Sequence, residues 1–275
     1  MTTMASPNGS ASARRGRPTD SDRRSARIAG IFFVITFISI ATLPLYDQVL
    51  NHHNFIAGSG GDLRVQLGAV CDIITLIAGI GTAAALYPVL RRQSEGLALG
   101  YVTVRVVESV LIAVGIVSLL AVVTLRQDLA GAAGTDHASL ILNGRSLVAV
   151  HNATFLLGPA FCAAIGNGLT LGYMMFRSGL VPRRFAQFGM VAGSLALVTA
   201  ILVLFGAYDQ VSGTSGILTF PEAAWELSLG IYLIVKGFRP DASLFKRDRR
   251  DLAADEFALR VGRIAAAVTA EPVGV

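Results

Sequence analysis

Six long apolar runs dominate this sequence, and each is long enough to cross a bilayer. They cover residues 28–46, 63–90, 97–125, 140–176, 185–208 and 220–238. A transmembrane helix needs about 20 apolar residues to span the hydrocarbon core. Only 15% of the residues are charged, whereas about 25% is usual for a soluble domain. The chain is therefore predicted to be an all-α, polytopic bundle of six transmembrane helices.

The parts outside these runs divide the chain into three regions. Residues 1–27 are rich in Ser, Gly and Arg and are predicted to be a disordered basic tail, whereas residues 28–238 form the membrane domain. Residues 239–275 are predicted to be a polar tail. Its apolar residues at helical spacing are Phe257, Val261, Ile264 and Val268. That spacing predicts an amphipathic helix in the second tail.

Two features of the runs leave alternatives open. Ser39-Ile40-Ala41 resembles a signal-peptide cleavage site, and cleavage there would leave five spans; the competing interpretation is an uncleaved first helix. The fourth run is too long for one straight crossing. Gly158-Pro159 and Gly166-Asn167-Gly168 predict that this run is kinked or broken.

Basic residues alternate between the loops in a way that predicts the topology. One set of connections carries Arg23, Arg24, Arg27, Arg91, Arg92, Arg177, Arg183, Arg184, Lys236 and Arg239, and the other set carries mainly His and Asp. Loops rich in Arg and Lys stay in the cytoplasm. Both termini are therefore predicted to be cytoplasmic, in the inner (plasma) membrane of the cell. The basic residues flank apolar runs, so the predicted partner is the lipid bilayer and not a nucleic acid.

Polar residues inside the runs are predicted to face the interior of the bundle. Arg105 and Glu108 lie near the middle of the third run, where an unpaired charge costs several kcal/mol. The second run carries a stripe of small and polar residues at steps of three and four: Arg64, Gly68, Asp72, Thr75, Gly79 and Thr82. Because such residues face neighbouring helices, Asp72 is predicted to point into the bundle.

The topology brings charged groups of four runs to the outer half and middle of the membrane. The predicted ligand or ion pocket consists of Asp72, Arg105, Glu108, Arg145, His151, Asn152, Glu222 and Glu226. An outward-facing polar pocket of this kind predicts binding or transport of a proton, an ion or a small ligand. The alternative is a structural or regulatory membrane partner, in which the same charges form a salt-bridge network that only holds the helices together.

An intramembrane hydrolase is a third hypothesis, and the residues favour it least. A metal enzyme needs converging His and carboxylate ligands, whereas the runs contain a single histidine, His151. No serine has a histidine base at a recognisable spacing. Cys71 and Cys162 lie inside apolar runs without metal-binding spacing, which is typical of buried cysteines. We predict neither a cofactor nor a metal.

A short internal repeat links the first and fifth runs. Tyr46-Asp47-Gln48-Val49 recurs as Tyr208-Asp209-Gln210-Val211, and each copy follows a run that is preceded by an Arg-Arg pair. A duplicated hairpin, as found in some transporters, would explain the repeat. The alternative is coincidence, because Tyr is common at the headgroup level of a membrane.

Several short motifs resemble a known family. They are Arg27-Ile28-Ala29-Gly30, Leu86-Tyr87-Pro88-Val89-Leu90, Arg105-Val106-Val107-Glu108, Phe155-Leu156-Leu157-Gly158-Pro159, Trp225-Glu226-Leu227-Ser228-Leu229-Gly230 and Lys236-Gly237-Phe238. Together they resemble the bacterial membrane proteins grouped as domain of unknown function 4386, over roughly residues 24–240. The resemblance implies a bacterial protein with several spans. It implies no activity, cofactor or catalytic residue.

Overall fold

The computed structural model describes residues 18–52, 54–58, 60–129, 136–246, 254 and 257–261. Every regular element in these residues is helical. Six of the helical stretches are long and apolar enough to cross a membrane. The prediction of an all-α bundle with six spans is therefore confirmed.

The six spans follow one another along the chain and are interrupted only in the first and the fourth. The first span consists of Asp20–Thr36, a 3-10 turn at Phe37–Ala41 and Thr42–Asn51; the second is Asp62–Leu90 and the third Glu95–Leu129. The fourth consists of His137–Phe155, π-helical Leu156–Cys162 and Ala164–Leu171, and Gly172–Ser178. The fifth is Arg183–Leu204 and the sixth Gly213–Val235. A short 3-10 turn, Phe55–Ala57, lies between the first and second spans.

The first helix begins at Asp20, earlier than the sequence prediction of residue 28. Thr19 caps it with a capping box: the Asp22 N–H donates to the Thr19 hydroxyl, and the Asp22 carboxylate accepts from the Thr19 N–H. Such a box satisfies two backbone donors at a helix start. Arg23 and Arg24 therefore lie on the helix and not in a tail; residues 1–17 lie outside the described residues.

The spans form a closed ring in chain order. Each span packs against the next, and the sixth returns to pack against the first. Glycines allow close approach at two of these contacts. A Cβ on Gly30 would lie 2.6 Å from the Gly230 carbonyl oxygen, and Gly168 of the fourth span similarly meets Gly193 of the fifth. Small residues at helix crossings are typical of membrane bundles.

The two ends of the ring are packed differently. The basic end, where the predicted cytoplasmic loops lie, contains the largest buried cluster, with residues from all six spans, including Phe33, Leu86 and Trp225. An ion pair between the buried Asp22 and the exposed Arg92 also ties the first span to the loop after the second. The buried cluster at the opposite end draws its described members from the first four spans and the loop between the first two. The bundle is thus closed at the basic end and less tightly packed at the other.

The start of the C-terminal tail belongs to the folded bundle, which the sequence did not predict. Ala242, Leu244 and Phe245 are buried in the cluster at the basic end. The Ser243 hydroxyl donates to the Ser178 carbonyl at 2.8 Å. Farther along, residues 257–261 are helical and exposed, and the remainder of the predicted amphipathic helix lies outside the described residues.

The fourth span is irregular, as the sequence predicted. It is not broken but contains two π-helical segments, whose turns are wider than those of an α-helix. Pro159 lies in the first π-helical segment and Asn167 in the second. Proline has no N–H to give to the helix, and π-helical turns are frequent at functional sites. The wider turns change which side chains of this span face the interior, and they aim Asn167, which is 1% exposed, inward.

Candidate functional site

A cavity of about 240 Å³ lies inside the ring, and five of the six spans line it. We call it the central cavity. Its charged lining residues are Asp72, Arg105, Glu108 and Glu226, from the second, third and sixth spans. The Thr36, Thr75 and Ser109 side chains add hydroxyl groups. Three carboxylates and one guanidinium therefore share one space in the interior of the bundle.

Arg105 is the central basic group of this cavity. Its side chain is 4% exposed, and its Nη1 donates to Glu108 Oε2 at 2.5 Å within the third span. Residues three apart on a helix are neighbours, so this pair follows directly from the sequence. The far end of the guanidinium lies against Gly79 of the second span, where a Cβ would be 2.9 Å from Nη2. The Nε–H has no hydrogen-bond partner among the described residues.

Asp72 is held by a tyrosine from the first span. The Tyr46 hydroxyl donates to Asp72 Oδ2 at 2.8 Å. The Tyr46 ring lies over Gly68 of the second span, where any side chain would collide with it. The His151 ring meets the Tyr46 ring edge-on with centroids 5.6 Å apart, and the Phe155 ring lies 4.4 Å from that of His151. We call these four side chains (Tyr46, Asp72, His151 and Phe155) the partition.

A second and larger cavity lies on the other side of the partition, at the end of the bundle away from the basic end. This vestibule has a volume of about 620 Å³. Tyr46 and His151 line the vestibule, Asp72 lines the central cavity, and Phe155 lines both. Asp47 and Asp209, one from each copy of the sequence repeat, lie at its mouth. The two copies of the repeat thus converge on one cavity.

Glu226 lies at the end of a chain of hydrogen bonds that begins at Tyr101 of the third span. The Tyr101 hydroxyl donates to Asn167 Oδ1 at 3.2 Å, and Asn167 Nδ2 donates to Glu226 Oε1 at 2.7 Å. Tyr101 and Asn167 are almost completely buried, whereas Glu226 remains half-buried. Glu226 is therefore fixed in position by the fourth span while part of its surface stays open.

The structure does not gather all eight predicted pocket residues into one site. Asp72, Arg105, Glu108 and Glu226 share the central cavity, whereas His151 and Asn152 line the vestibule. Arg145 is exposed and lines a surface depression with Asn152. Glu222 is buried beside Gly168, and its Oε1 has no hydrogen-bond partner among the described residues.

Arg64, which begins the predicted inward stripe of the second span, is exposed. It lies within the first turn of a helix that starts at Asp62, where its guanidinium can reach water. A long basic side chain near a helix end extends to the interface instead of entering the bundle. The rest of the stripe faces inward, and Gly68, Asp72, Gly79 and Thr82 are buried.

Two residues of the site were missed by sequence reasoning. The sequence draws attention to Tyr46 only as part of the internal repeat, although its side chain is 2% exposed and holds Asp72. Asn167 was treated only as part of a kink. The indication was present in both cases, because a tyrosine hydroxyl and an amide inside apolar runs need hydrogen-bond partners.

The charged groups of the central cavity are mostly acidic. Carboxylates outnumber guanidinium groups in the central cavity by three to one. Among the described residues, no group of His, Cys, Asp and Glu side chains is arranged to hold a metal ion. The cavity is also larger than a single ion requires, because one water molecule occupies about 30 Å³ in the liquid.

Six apolar helices in a ring around a charged interior define a multi-span helical membrane protein. The chain belongs to the family described as a domain of unknown function (DUF4386), whose match covers residues 28–237. No curated protein and no solved structure matches it. The family description names no activity.

Proposed function

We propose that this protein binds a small polar ligand or ion in the central cavity and carries it across the plasma membrane. The observation that carries the proposal is the meeting of Asp72, Arg105, Glu108 and Glu226 around one open space. Ionisable groups inside a membrane domain generally mark ligand, ion or proton pathways. The vestibule on the far side of the partition supplies a route from the end opposite the basic end.

A purely structural network is the competing function, and the open space between the charged groups argues against it. Charges that only hold helices together are expected to pair closely and to leave no open space between them. Here a cavity of about 240 Å³ remains between the charged groups.

The proposal predicts that small charged reagents reach the central cavity. Ser109 lines it, and its neighbour Val110 is 56% exposed on the outer surface of the bundle. In a background with Cys71→Ser and Cys162→Ala, we expect Ser109→Cys to react with aminoethyl methanethiosulfonate in lipid nanodiscs. Val110→Cys faces lipid and should react far more slowly, because the thiolate is the group that attacks the reagent and a thiol in apolar surroundings stays protonated.

Mass spectrometry of the intact protein gives the rate of modification for both variants. Equal, slow reaction of the two cysteines would show that no water-filled cavity exists, and the structural network would then be the better explanation. Circular dichroism and size-exclusion chromatography of each variant establish that both proteins are folded before the rates are compared.

A further inference from the structure

We propose that the ligand is an amphiphilic cation, whose ammonium head occupies the central cavity while its apolar tail remains in the bilayer between the first and sixth spans. This inference rests on the proposed function, because it specifies the ligand of the same cavity. Two observations carry it: the position of the cavity opening and the charge of the interior.

The opening of the central cavity faces lipid. Two lining residues, Ile40 of the first span and Ala223 of the sixth, are exposed on the outside of the bundle. Each lies ten or so residues from the end of its span, which is roughly 15 Å at ~1.5 Å per residue. This depth is about half of a ~30 Å hydrocarbon core. A ligand that uses this opening therefore arrives from the bilayer interior.

The rim of the opening is apolar, which suits a hydrocarbon tail. Ile40 is 59% exposed, and Phe37 lines the wall beside it. Toward the vestibule, Leu43 and Val211 are also exposed, whereas the mouth of that cavity carries the polar Asp47 and Asp209. The first and sixth spans make their close glycine contact at Gly30 and Gly230, nearer the basic end. The gap between them lies in the other half of the bundle.

The interior of the cavity suits a cationic head. Asp72, Glu108 and Glu226 face one space in which Arg105 is the single guanidinium. Arg105 already pairs with Glu108. The carboxylates of Asp72 and Glu226 accept hydrogen bonds from the neutral side chains of Tyr46 and Asn167, so neither has an ion-pair partner among the described residues. Aromatic rings of Phe37 and Phe155 also line the space, and aromatic faces attract ammonium groups.

The test measures protection of Ser109→Cys, in the cysteine-substituted background, from aminoethyl methanethiosulfonate in phosphatidylcholine nanodiscs. The probe is decyl(2-hydroxyethyl)dimethylammonium. Choline presents nearly the same head without the tail, and decanesulfonate presents the same tail with a negative head. We expect the probe to protect at a concentration about tenfold or more below choline, because its tail is buried in lipid. Decanesulfonate should not protect.

Substitutions then locate the binding site. Asp72→Asn and Glu226→Gln should weaken protection by the probe several-fold, whereas Glu95→Gln, an exposed glutamate outside the cavity, should leave it unchanged. Ala223→Phe should block the lateral opening and abolish protection by the probe. Ala84→Phe, on an exposed face of the second span, is its matched control.

The outcomes separate this inference from the proposed function. If choline protects as well as the probe, or if decanesulfonate protects equally, the amphiphilic cation is overturned while a ligand-accessible cavity stands. Protection that persists in Ala223→Phe overturns access from the bilayer. If Ser109→Cys reacts no faster than Val110→Cys even without any probe, the proposed function itself fails.

Discussion

Among single residues, Gly79 is the one that sets the position of the Arg105 guanidinium. The guanidinium crosses from the third span to the backbone of the second, and a Cβ at position 79 would lie 2.9 Å from its Nη2. Because Gly79 has no side chain, the guanidinium can lie against the backbone of the second span and still pair with Glu108. A larger residue would have to displace this buried ion pair.

We therefore expect Gly79→Leu to lower the stability of the protein by about 1–3 kcal/mol, the usual cost of disturbing a buried hydrogen bond between charged groups. Gly100→Leu on the third span is the matched control, since a Cβ there has no atom within 4 Å. Thermal unfolding in detergent, followed by the fluorescence of the single tryptophan, Trp225, compares the two variants. Equal melting temperatures would contradict the contact between Gly79 and Arg105.

At this scale the burial of some polar residues was predictable from the sequence, because lipid penalises unpaired charges. Asp72 and Arg105 were assigned to the interior by their helical spacing, and both are buried. The same spacing misplaced Arg64, because it ignores how close a residue is to the end of its helix. Tyr46 was missed because its contact with Asp72 joins residues 26 positions apart, and local periodicity carries no information about such pairs.

Among the elements, the crossing of the first and sixth spans determines where the bundle opens. Gly30 and Gly230 bring the two backbones together, and a Cβ on Gly30 would lie 2.6 Å from the Gly230 carbonyl oxygen. A backbone atom cannot turn away as a flexible side chain can. Any side chain at position 30 would therefore push the two helices apart.

Gly30→Leu should consequently destabilise the bundle by at least about 1–3 kcal/mol, because it forces a backbone shift in a packed interface. Gly216→Leu on the sixth span has open space around it and should have little effect. Melting temperatures in detergent measure the difference. A variant as stable as the unsubstituted protein would show that the first and sixth spans do not cross closely at these glycines.

The elements themselves were largely predictable, and their irregularities only in part. Long apolar runs require helices in lipid, which is why all six spans were found. The 3-10 turn at Phe37–Ala41 contains no proline or glycine, but Pro44 follows it and cannot donate an N–H to the Ile40 carbonyl four residues earlier. Pro159 and the Gly166-Asn167-Gly168 triplet indicated an irregular fourth span, but composition does not distinguish a break from the π-helical turns that occur there.

For the whole molecule, the distribution of basic residues predicts which end faces the cytoplasm. Arg184 lies at the start of the fifth span and Asp209 follows its end, and both are exposed. We expect an impermeant thiol reagent added to intact cells to label Asp209→Cys, and to label Arg184→Cys only after the membrane is disrupted. Both cysteines are placed in the background without Cys71 and Cys162. The reverse pattern would place the basic end outside the cell.

The tail segment at the basic end has a practical consequence for anyone who attaches a tag to this protein. Leu244 and Phe245 pack into the buried cluster at the basic end of the bundle. The backbone N–H of Arg239 also donates to the Leu180 carbonyl at 2.9 Å. Shortening the chain to the last residue of the sixth span would remove these contacts and expose the apolar cluster to water. Affinity tags and fluorescent fusions should therefore be attached after Lys246, so that this packed segment stays in place during purification.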